Sequence, residues 1–345
     1  MLKLIASLSL DLDNKWSYLK THGDPGWESY PSYLDVVVPR FLDIVDDLGL
    51  QMTVFVVGQD AVLPKNRSAL ESIAAAGHEI GNHSFQHEPW LHLYSNEELD
   101  TELASAEDAI EDATGVRTKG FRGPGFSFSP AVLATLVRRG YQYDASTLPT
   151  FLGPLARTYY FLSTHLNQKQ KAERKQLFGS WKEGLRPVQP YWWKLDPSVD
   201  DEAPVDQSLL EIPVTTMPLF RVPIHVSYLL YLRQFSRVAA WAYWRLAMSL
   251  CRWTGVGPSL LLHPLDFLGG NDDPDLAFFP AMRMRSKEKT AFVRDLLDDY
   301  SQRFQVVPIC EHATAIAKRN DLPIHRIAVE PESSTTILVT EAMQR

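Results

Sequence analysis

Two histidines four residues apart are the side chains of this sequence best suited to chemistry. His83 and His87 follow an apolar, strand-like piece that ends at Asn82, within the stretch GHEIGNHSFQHEPW at residues 77–90. If the segment from His83 turned helically, both imidazoles would lie on one face, where they could hold a single ion. Neutral imidazole is the commonest metal ligand in proteins. The spacing also occurs without a metal, so a metal site needs further ligands.

Asp11 and Asp13 supply carboxylates at the polar end of the first predicted strand. Because side chains alternate along a strand, residues two apart point to the same face. Two neighbouring carboxylates repel each other unless a cation lies between or beside them. A metal ion shared with His83 and His87 would provide that cation. The alternative is that Asp13 only caps the loop after the strand.

The hydrophobic pattern predicts strands that alternate with helices along most of the chain. Predicted strands cover residues 2–13, 52–58, 78–82, 120–122, 141–144, 209–214, 260–264 and 305–309. Predicted helices cover residues 33–48, 68–76, 96–113, 130–139, 236–253, 287–300 and 311–318. Such alternation is typical of a parallel sheet, open or closed into a barrel. In these folds chemistry gathers at the carboxyl ends of the strands, where Asp11, His83, Arg122 and Asp144 fall.

The alternation breaks between about residues 150 and 207, which we interpret as an insertion. This stretch holds a basic run at residues 169–175, several aromatic residues and an acidic, proline-containing loop. Residues 321–345 suggest no partner. We therefore predict one catalytic domain at residues 1–320 and a C-terminal tail at residues 321–345.

Composition excludes several classes of protein. The net charge of −8 and the pI near 5.7 argue against a nucleic-acid-binding protein. Two cysteines far apart, Cys251 and Cys310, imply no disulfide framework. The N-terminus lacks the pattern of a secretory signal, and no uncharged apolar stretch approaches the roughly 18 residues of a membrane span. We expect a soluble cytoplasmic protein, with a peripheral position at the inner face of the membrane as the alternative.

Five motifs in order give the sequence a resemblance to the polysaccharide deacetylase family, the NodB-like group also called carbohydrate esterase family 4. The motifs run from residue 11 to residue 263. SLDLDN resembles the Asp-x-Asp variant of the first motif, which implies that Asp11 is the general base and Asp13 a metal ligand. HSFQH matches the second motif, which implies that His83 and His87 are the other metal ligands.

The remaining motifs imply the rest of the site. RGPGF resembles the third motif, in which the arginine, here Arg122, pairs with the catalytic aspartate. The turn that follows would bind the oxyanion and the substrate through Pro124, Gly125 and Phe126. Asp144 in YDAS resembles the aspartate that steadies this arginine, although the tryptophan often found nearby is absent. LLLH resembles the fifth motif and implies that His263 is the general acid.

Each of these residues has a structural alternative when it is taken alone. Arg122 could be a structural ion-pair partner, and His263 could be a core histidine with its polar atoms satisfied. Five motifs in the family's order, at the ends of predicted strands, argue against those alternatives.

The resemblance implies a fold and an activity. The fold is a distorted TIM-like (β/α)7 barrel of the α/β class, with the insertion after the Asp144 strand. The activity is a metal-dependent hydrolase that removes an N-acetyl group from an aminosugar in a polysaccharide or glycan precursor. Two histidines and one aspartate suit Zn2+, while Co2+ or Ni2+ could occupy the same site. The oligomeric state cannot be read from the sequence.

Two alternative functions remain open. One is a deacylase or deformylase of a lipid-linked aminosugar at the cytoplasmic membrane face. Arg237, Arg245 and Arg252 form a stripe among apolar and aromatic residues on the predicted helix 236–253, a pattern that suits a membrane interface. The simpler interpretation is a barrel helix whose apolar sides pack on the sheet and on the insertion at residues 150–207. The other alternative is an inactive, carbohydrate-binding relative.

Overall fold

The strands form one mostly parallel sheet in the computed structural model, which describes residues 3–153, 181–196 and 207–328. They are β1 (Ile5–Asp11), β2 (Thr53–Val56), β3 (Glu79–Asn82), β4 (Gly120–Phe121), β5 (Tyr143–Asp144), β6 (Tyr191–Asp196), β7 (Ser208–Glu211), β8 (Ser259–Leu262), β9 (Gln305–Val307) and β10 (Ile324–Ala328). Their order across the sheet is β10-β6-β7-β5-β4-β3-β2-β1-β8, and β9 also pairs with β1. The predicted α/β class with a parallel sheet is confirmed.

Seven of these strands form a distorted ring that closes just beyond β7. Strands β1 to β5 and β7 are successive neighbours across the sheet, and β8 pairs with the other side of β1. The backbone N–H of Thr215 donates to the carbonyl of Ser259 at the start of β8 (3.1 Å). The N–H of Ser259 donates in turn to the Thr215 hydroxyl (2.7 Å). In a regular barrel, β7 and β8 would be joined by a ladder of backbone hydrogen bonds. Here two hydrogen bonds take the place of that ladder, as expected for a distorted (β/α)7 barrel.

Helices surround this ring. They are α1 (Lys15–His22), α2 (Leu34–Asp47), α3 (Gly58–Ala61), α4 (Arg67–Ala75), α5 (Asn96–Thr114), α6 (Pro130–Arg138), α7 (Val226–Phe235), α8 (Arg237–Thr254), α9 (Ser286–Arg303) and α10 (Ile309–Ala317). The seven predicted helices are present, whereas α1, α3 and α7 were not predicted. Across the described ranges, no helix has both the length and the hydropathy needed to cross a membrane.

Apolar faces of the helices bury the outer surface of the sheet. On α2, Val37, Phe41 and Val45 recur at helical spacing, and all three are fully buried. On β1, side chains on both faces of the sheet are buried, as in strands that are covered on two sides. Burying each such side chain contributes roughly 1.5–3 kcal/mol. This packing holds the carboxyl ends of the strands in fixed positions.

The insertion and the C-terminal stretch meet at the edge of the sheet. Strand β6, which lies in the insertion, pairs antiparallel with β7 and parallel with β10. The structure therefore supplies a partner for Ile324–Ala328, where the sequence suggested none. The basic run at residues 169–175 lies outside the described residues. The division into a catalytic domain and a tail stays a prediction.

Candidate metal and catalytic site

Three side chains from two distant parts of the chain meet beyond the carboxyl ends of β1 and β3. The Nε2 atom of His87 lies 2.9 Å from Oδ1 of Asp13, and Nε2 of His83 lies 3.3 Å from the same oxygen. The potential ligand atoms of these residues all lie within 4.8 Å of one another. The structure thus brings together the three residues predicted to bind a metal.

The loop that carries both histidines is not helical, so the helical geometry considered above is wrong. Ser84 and His87 both adopt left-handed backbone conformations, with φ of 63° and 55°. The Glu102 carboxylate on α5 accepts the N–H groups of Phe85 (2.9 Å) and Gln86 (2.6 Å). A buried carboxylate from a remote helix therefore sets the loop shape and turns both imidazoles toward Asp13.

The hydrogen bonding of His83 fits a cation at this position. Its Nδ1 lies 2.6 Å from the backbone carbonyl of Arg122. Because a carbonyl only accepts, Nδ1 must be the donor, and Nε2 of a neutral imidazole then carries a lone pair. That lone pair faces the carboxylate of Asp13, an arrangement that is repulsive unless positive charge lies between them.

The pKa values of Asp13 and His83 also show that the site favours positive charge. Burial alone would raise the pKa of Asp13, but His87 and His83 outweigh it and hold this pKa well below its usual value. Burial alone would lower the pKa of His83, but the carboxylates of Asp11 and Asp13 outweigh it and raise this pKa. The donor set and the local field both suit a divalent cation.

Arg122 holds Asp11 beside the candidate metal site. The fully buried guanidinium donates from Nη1 to Oδ1 of Asp11 (2.6 Å) and to the Ser9 hydroxyl (2.9 Å). Its Nε donates to the carbonyl of Ala145 (3.0 Å), and its Cζ lies 4.4 Å from the centre of the Phe55 ring. An adjacent guanidinium favours the ionised form of a carboxylate. The predicted pairing of Arg122 with Asp11 is present.

Asp144 lies next to this arginine but bonds elsewhere. Its carboxylate accepts the Ser146 hydroxyl (2.5 Å) and faces Glu211 on β7. Within the described residues, the side-chain hydrogen bonds of Arg122 go to Asp11, Ser9 and Ala145. Burial raises the pKa of Asp144 to about 6 although the charge of Arg122 acts in the opposite direction. That Asp144 steadies Arg122 stays a prediction, supported by the opposite charges of the two side chains.

The predicted oxyanion turn is a tight, left-handed loop after β4. Gly125 and Phe126 have φ of 59° and 62°. A Cβ on Gly123 would lie 1.9 Å from the carbonyl oxygen of Ser127, so only glycine fits there. The Gly123 N–H donates to the Ser146 hydroxyl (2.8 Å), which secures the start of the turn. Gly125 is exposed, where a substrate can reach it.

His263 stands directly after β8, alongside the carboxyl end of β1. The register places Leu262 opposite Leu10, so the next pair along the two strands is His263 and Asp11. The His263 N–H donates to Asp266 (2.8 Å). The Ser227 hydroxyl donates to the same carboxylate (2.7 Å) and lies 3.3 Å from Nδ1 of the imidazole. His263 is only half-buried, which differs from the core-histidine alternative.

Sequence reasoning missed several residues that hold the site together. Glu102 interrupts the apolar stripe of α5 between Leu99 and Leu103, and this irregularity was a usable signal. Ser9 precedes Asp11 by two residues and so shares its face of β1. Glu211 lies inside the predicted strand 209–214, whereas in the structure it is the last residue of β7.

Comparison with known proteins finds a family match for part of the chain. Residues 24–143, which contain His83, His87 and Arg122, match the family model for polysaccharide deacetylases. A peptidoglycan deacetylase from Helicobacter pylori is 28% identical over 153 residues, which are 42% of this chain and 50% of that protein. Over residues 24–143 the chain is therefore similar to polysaccharide deacetylases.

Two further matches are to proteins with similar names. A peptidoglycan deacetylase-like protein from Gibberella zeae is 28% identical over 164 residues, or 46% of each chain. The chain therefore spans about half the length of the curated relatives it matches. The structure also resembles a crystal structure from Mycobacterium smegmatis that is provisionally named a polysaccharide deacetylase. The two superpose with a TM-score of 0.60, are 21% identical, and match over 96% of each chain. That likeness shows the fold alone.

Proposed function

We propose that the protein is a metal-dependent hydrolase that removes an N-acetyl group from an aminosugar in a polysaccharide or glycan precursor. The observation that carries this proposal is the meeting of Asp13, His83 and His87 beside the Arg122–Asp11 pair. Three protein ligands with an open fourth position are the usual arrangement of catalytic zinc sites. A separate carboxylate next to that site is positioned to act as a base.

Asp13, His83 and His87 would hold the cation. Zn2+ suits two imidazoles and one carboxylate, and Co2+ or Ni2+ would be accepted by the same ligands. When bound, such a cation supplies Lewis acidity to the acyl oxygen and lowers the pKa of water toward about 7.

The other residues divide the proton transfers and charge stabilisation among them. Asp11, held in place by its ion pair with Arg122, takes a proton from the attacking water. The N–H of Gly125 donates to the oxygen that becomes negative as the amide carbon turns tetrahedral. His263 delivers a proton to the departing nitrogen, because an amine leaves poorly as an anion. Pro124 and Phe126 shape the wall around the acyl group.

Metal analysis and acetate release test this proposal together. Purified protein is expected to carry about one divalent cation per chain and to release acetate from N-acetylated glucosamine oligomers or peptidoglycan fragments. Asp13→Ala, His83→Ala and His87→Ala should each lose the cation and the activity. His325→Ala, on the edge strand β10, is the matched control and should retain both.

Two results would contradict the proposal. Activity that survives complete removal of metal by a chelator would exclude the metal-dependent chemistry. A metal-loaded protein that releases no acetate from any N-acetylated sugar, yet still binds glycans, would favour the alternative of an inactive, carbohydrate-binding relative.

A second candidate is a deacylase or deformylase of a lipid-linked aminosugar at the cytoplasmic face of a membrane. The observation that favours it is the exposed side of α8, where Val238, Leu246 and Trp253 are 79%, 50% and 75% exposed. This helix carries three exposed arginines and no acidic residue. Exposed apolar and aromatic side chains with arginines suit the surface of an anionic bilayer.

The opposite side of α8 packs against the barrel, as the simpler interpretation of this helix predicted. Trp244, Ala247 and Met248 are fully buried, and Arg237 is engaged with Asp295 of α9 (3.1 Å). Flotation with anionic liposomes at low salt tests the exposed side. The protein should co-float and Trp253→Glu should not. Failure of the unmodified protein to co-float would remove the membrane candidate and leave the deacetylase proposal intact.

A further inference from the structure

Two buried carboxyl groups face each other on adjacent strands behind Arg122. Strands β5 and β7 pair in a register that places Asp144 directly opposite Glu211. Side chains at paired positions of neighbouring strands lie on the same face of the sheet. Neither side chain is exposed to solvent, and the two groups lie within hydrogen-bonding reach of each other.

The hydrogen bonds of this pair leave one oxygen without a donor. Oε1 of Glu211 accepts the N–H (3.1 Å) and the hydroxyl (2.6 Å) of Thr147, and Oε2 accepts the indole N–H of Trp193 (2.9 Å). Oδ1 of Asp144 accepts the hydroxyl of Ser146 (2.5 Å). Oδ2 of Asp144 has no donor within the described residues. A proton held between the two carboxyl groups supplies the missing donor.

The surrounding charges favour this shared proton. Burial raises the pKa of Glu211 well above its usual value, and the neighbouring charge of Asp144 adds to the effect. Arg122 is nearby, but its Nη1 is engaged with Asp11 and its Nη2 makes no hydrogen bond within the described residues. Two facing carboxylates in a buried site do not both ionise near neutral pH, so the pair carries one negative charge.

The pair connects to the oxyanion turn through one hydroxyl. Ser146 donates to Asp144, while its oxygen accepts the N–H of Gly123. Gly123 opens the turn that holds Gly125 in its left-handed conformation. The path from Glu211 to the oxyanion donor therefore runs through Asp144, Ser146 and Gly123.

We propose that Glu211 is a positioning residue: it shares one proton with Asp144 and, through Ser146, fixes the turn that stabilises the oxyanion. This inference rests on the proposed deacetylase function. A donor aimed at the oxyanion acts mainly in the transition state, so loosening it lowers kcat more than it changes KM.

Three variants separate positioning from simple stability. Glu211→Gln keeps a group that can donate to Asp144 but loses the acceptor for the indole N–H of Trp193, so kcat should fall clearly less than in Glu211→Ala. Glu211→Ala removes that donor, so kcat should fall about 10- to 100-fold with KM changed less than about threefold. The matched control is Glu79→Gln at the opposite end of the strands. Glu79 also accepts several hydrogen bonds there, and this change should leave kcat unaltered.

Infrared spectroscopy at pH 7 reads the shared proton without any assay of activity. The spectrum of the unmodified protein minus that of Glu211→Gln should contain the carbonyl band of a protonated carboxylic acid, and the corresponding Glu79→Gln difference should not. The absence of that band would overturn the inference. So would a Glu211→Ala variant with unchanged kcat, or a Glu211→Gln variant as slow as Glu211→Ala. Lack of deacetylase activity in the unmodified protein would contradict the proposed function. The infrared measurement would still show whether Asp144 and Glu211 share a proton.

Discussion

The imidazole of His83 donates from Nδ1 to the backbone carbonyl of Arg122 across 2.6 Å. This bond joins the candidate metal ligand to the residue that holds the candidate base, because the Arg122 side chain contacts Asp11 at 2.6 Å. A hydrogen bond to the far nitrogen of a metal-binding histidine sets its tautomer and ring orientation. The ligand at the end of β3 and the base at the end of β1 are therefore held in a fixed relation through the end of β4.

Replacement of the base should separate catalysis from metal binding. Asp11→Asn keeps an oxygen that can accept from Arg122 but cannot take a proton, so kcat should fall about 10²- to 10⁴-fold. Asp11 is not among the three side chains that would hold the metal, so metal content should be retained. Acetate release and elemental analysis measure the two quantities. Asp43→Asn, an exposed change on α2, is the control, and a normal rate for Asp11→Asn would contradict the assignment.

The histidine loop should depend on Glu102 for its metal affinity. Glu102→Ala removes the acceptor of two backbone N–H groups in the loop, so the metal dissociation constant should rise about 10- to 100-fold. Titration against a chelating indicator measures this constant. Glu97→Ala, at an exposed position on the same helix, should leave it unchanged. Equal affinities in the two variants would show that the loop keeps its shape without Glu102.

A general acid at His263 should matter most for substrates with poor leaving groups. His263→Ala should slow deacetylation of an N-acetyl amide by about 10²- to 10⁴-fold, because the amine must be protonated as it departs. Hydrolysis of an activated aryl acetate, whose leaving group needs no proton, should fall much less. The ratio of the two rates is the readout, with His325→Ala as the control. Equal losses on both substrates would assign His263 to binding.

The loop after His263 should give stability an alkaline pH dependence. Lys289 on α9 is buried, and its ammonium donates to the Leu265 carbonyl (2.5 Å). Burial lowers the pKa of Lys289 to about 8, while the unfolded chain retains a value of about 10.4. Between these values the unfolded state binds more protons, so the free energy of unfolding rises with pH, by about 3 kcal/mol at most.

Comparison with Lys289→Met isolates this contribution. Denaturant unfolding at several pH values from about 7.5 to 10.5 should show the unmodified protein gaining stability relative to the variant as pH increases. A difference between the two proteins that stays constant over this range would show that Lys289 titrates normally in the folded state.

Much of the architecture was predictable because its signals are local. The strand ends that carry Asp11, His83, Arg122 and His263 follow from short apolar runs next to polar residues. The start of α5 follows from its capping box at Ser95 and Glu98, and the structure contains that box. These signals depend on residues within a few positions of each other, so a single sequence contains all of the information.

The contacts that assemble the site depended on the tertiary structure. The sequence placed His83 and His87 four residues apart and suggested a helix, but the Glu102 carboxylate from α5 holds a left-handed loop instead. The resemblance also implied that Asp144 steadies Arg122, and this role stays a prediction. The structure adds what the sequence did not indicate: Ser9 and Ala145 accept hydrogen bonds from Arg122, and Asp144 faces Glu211. Which side chain reaches a buried donor depends on distances between strands far apart in the chain, and those distances are set only when the sheet has packed.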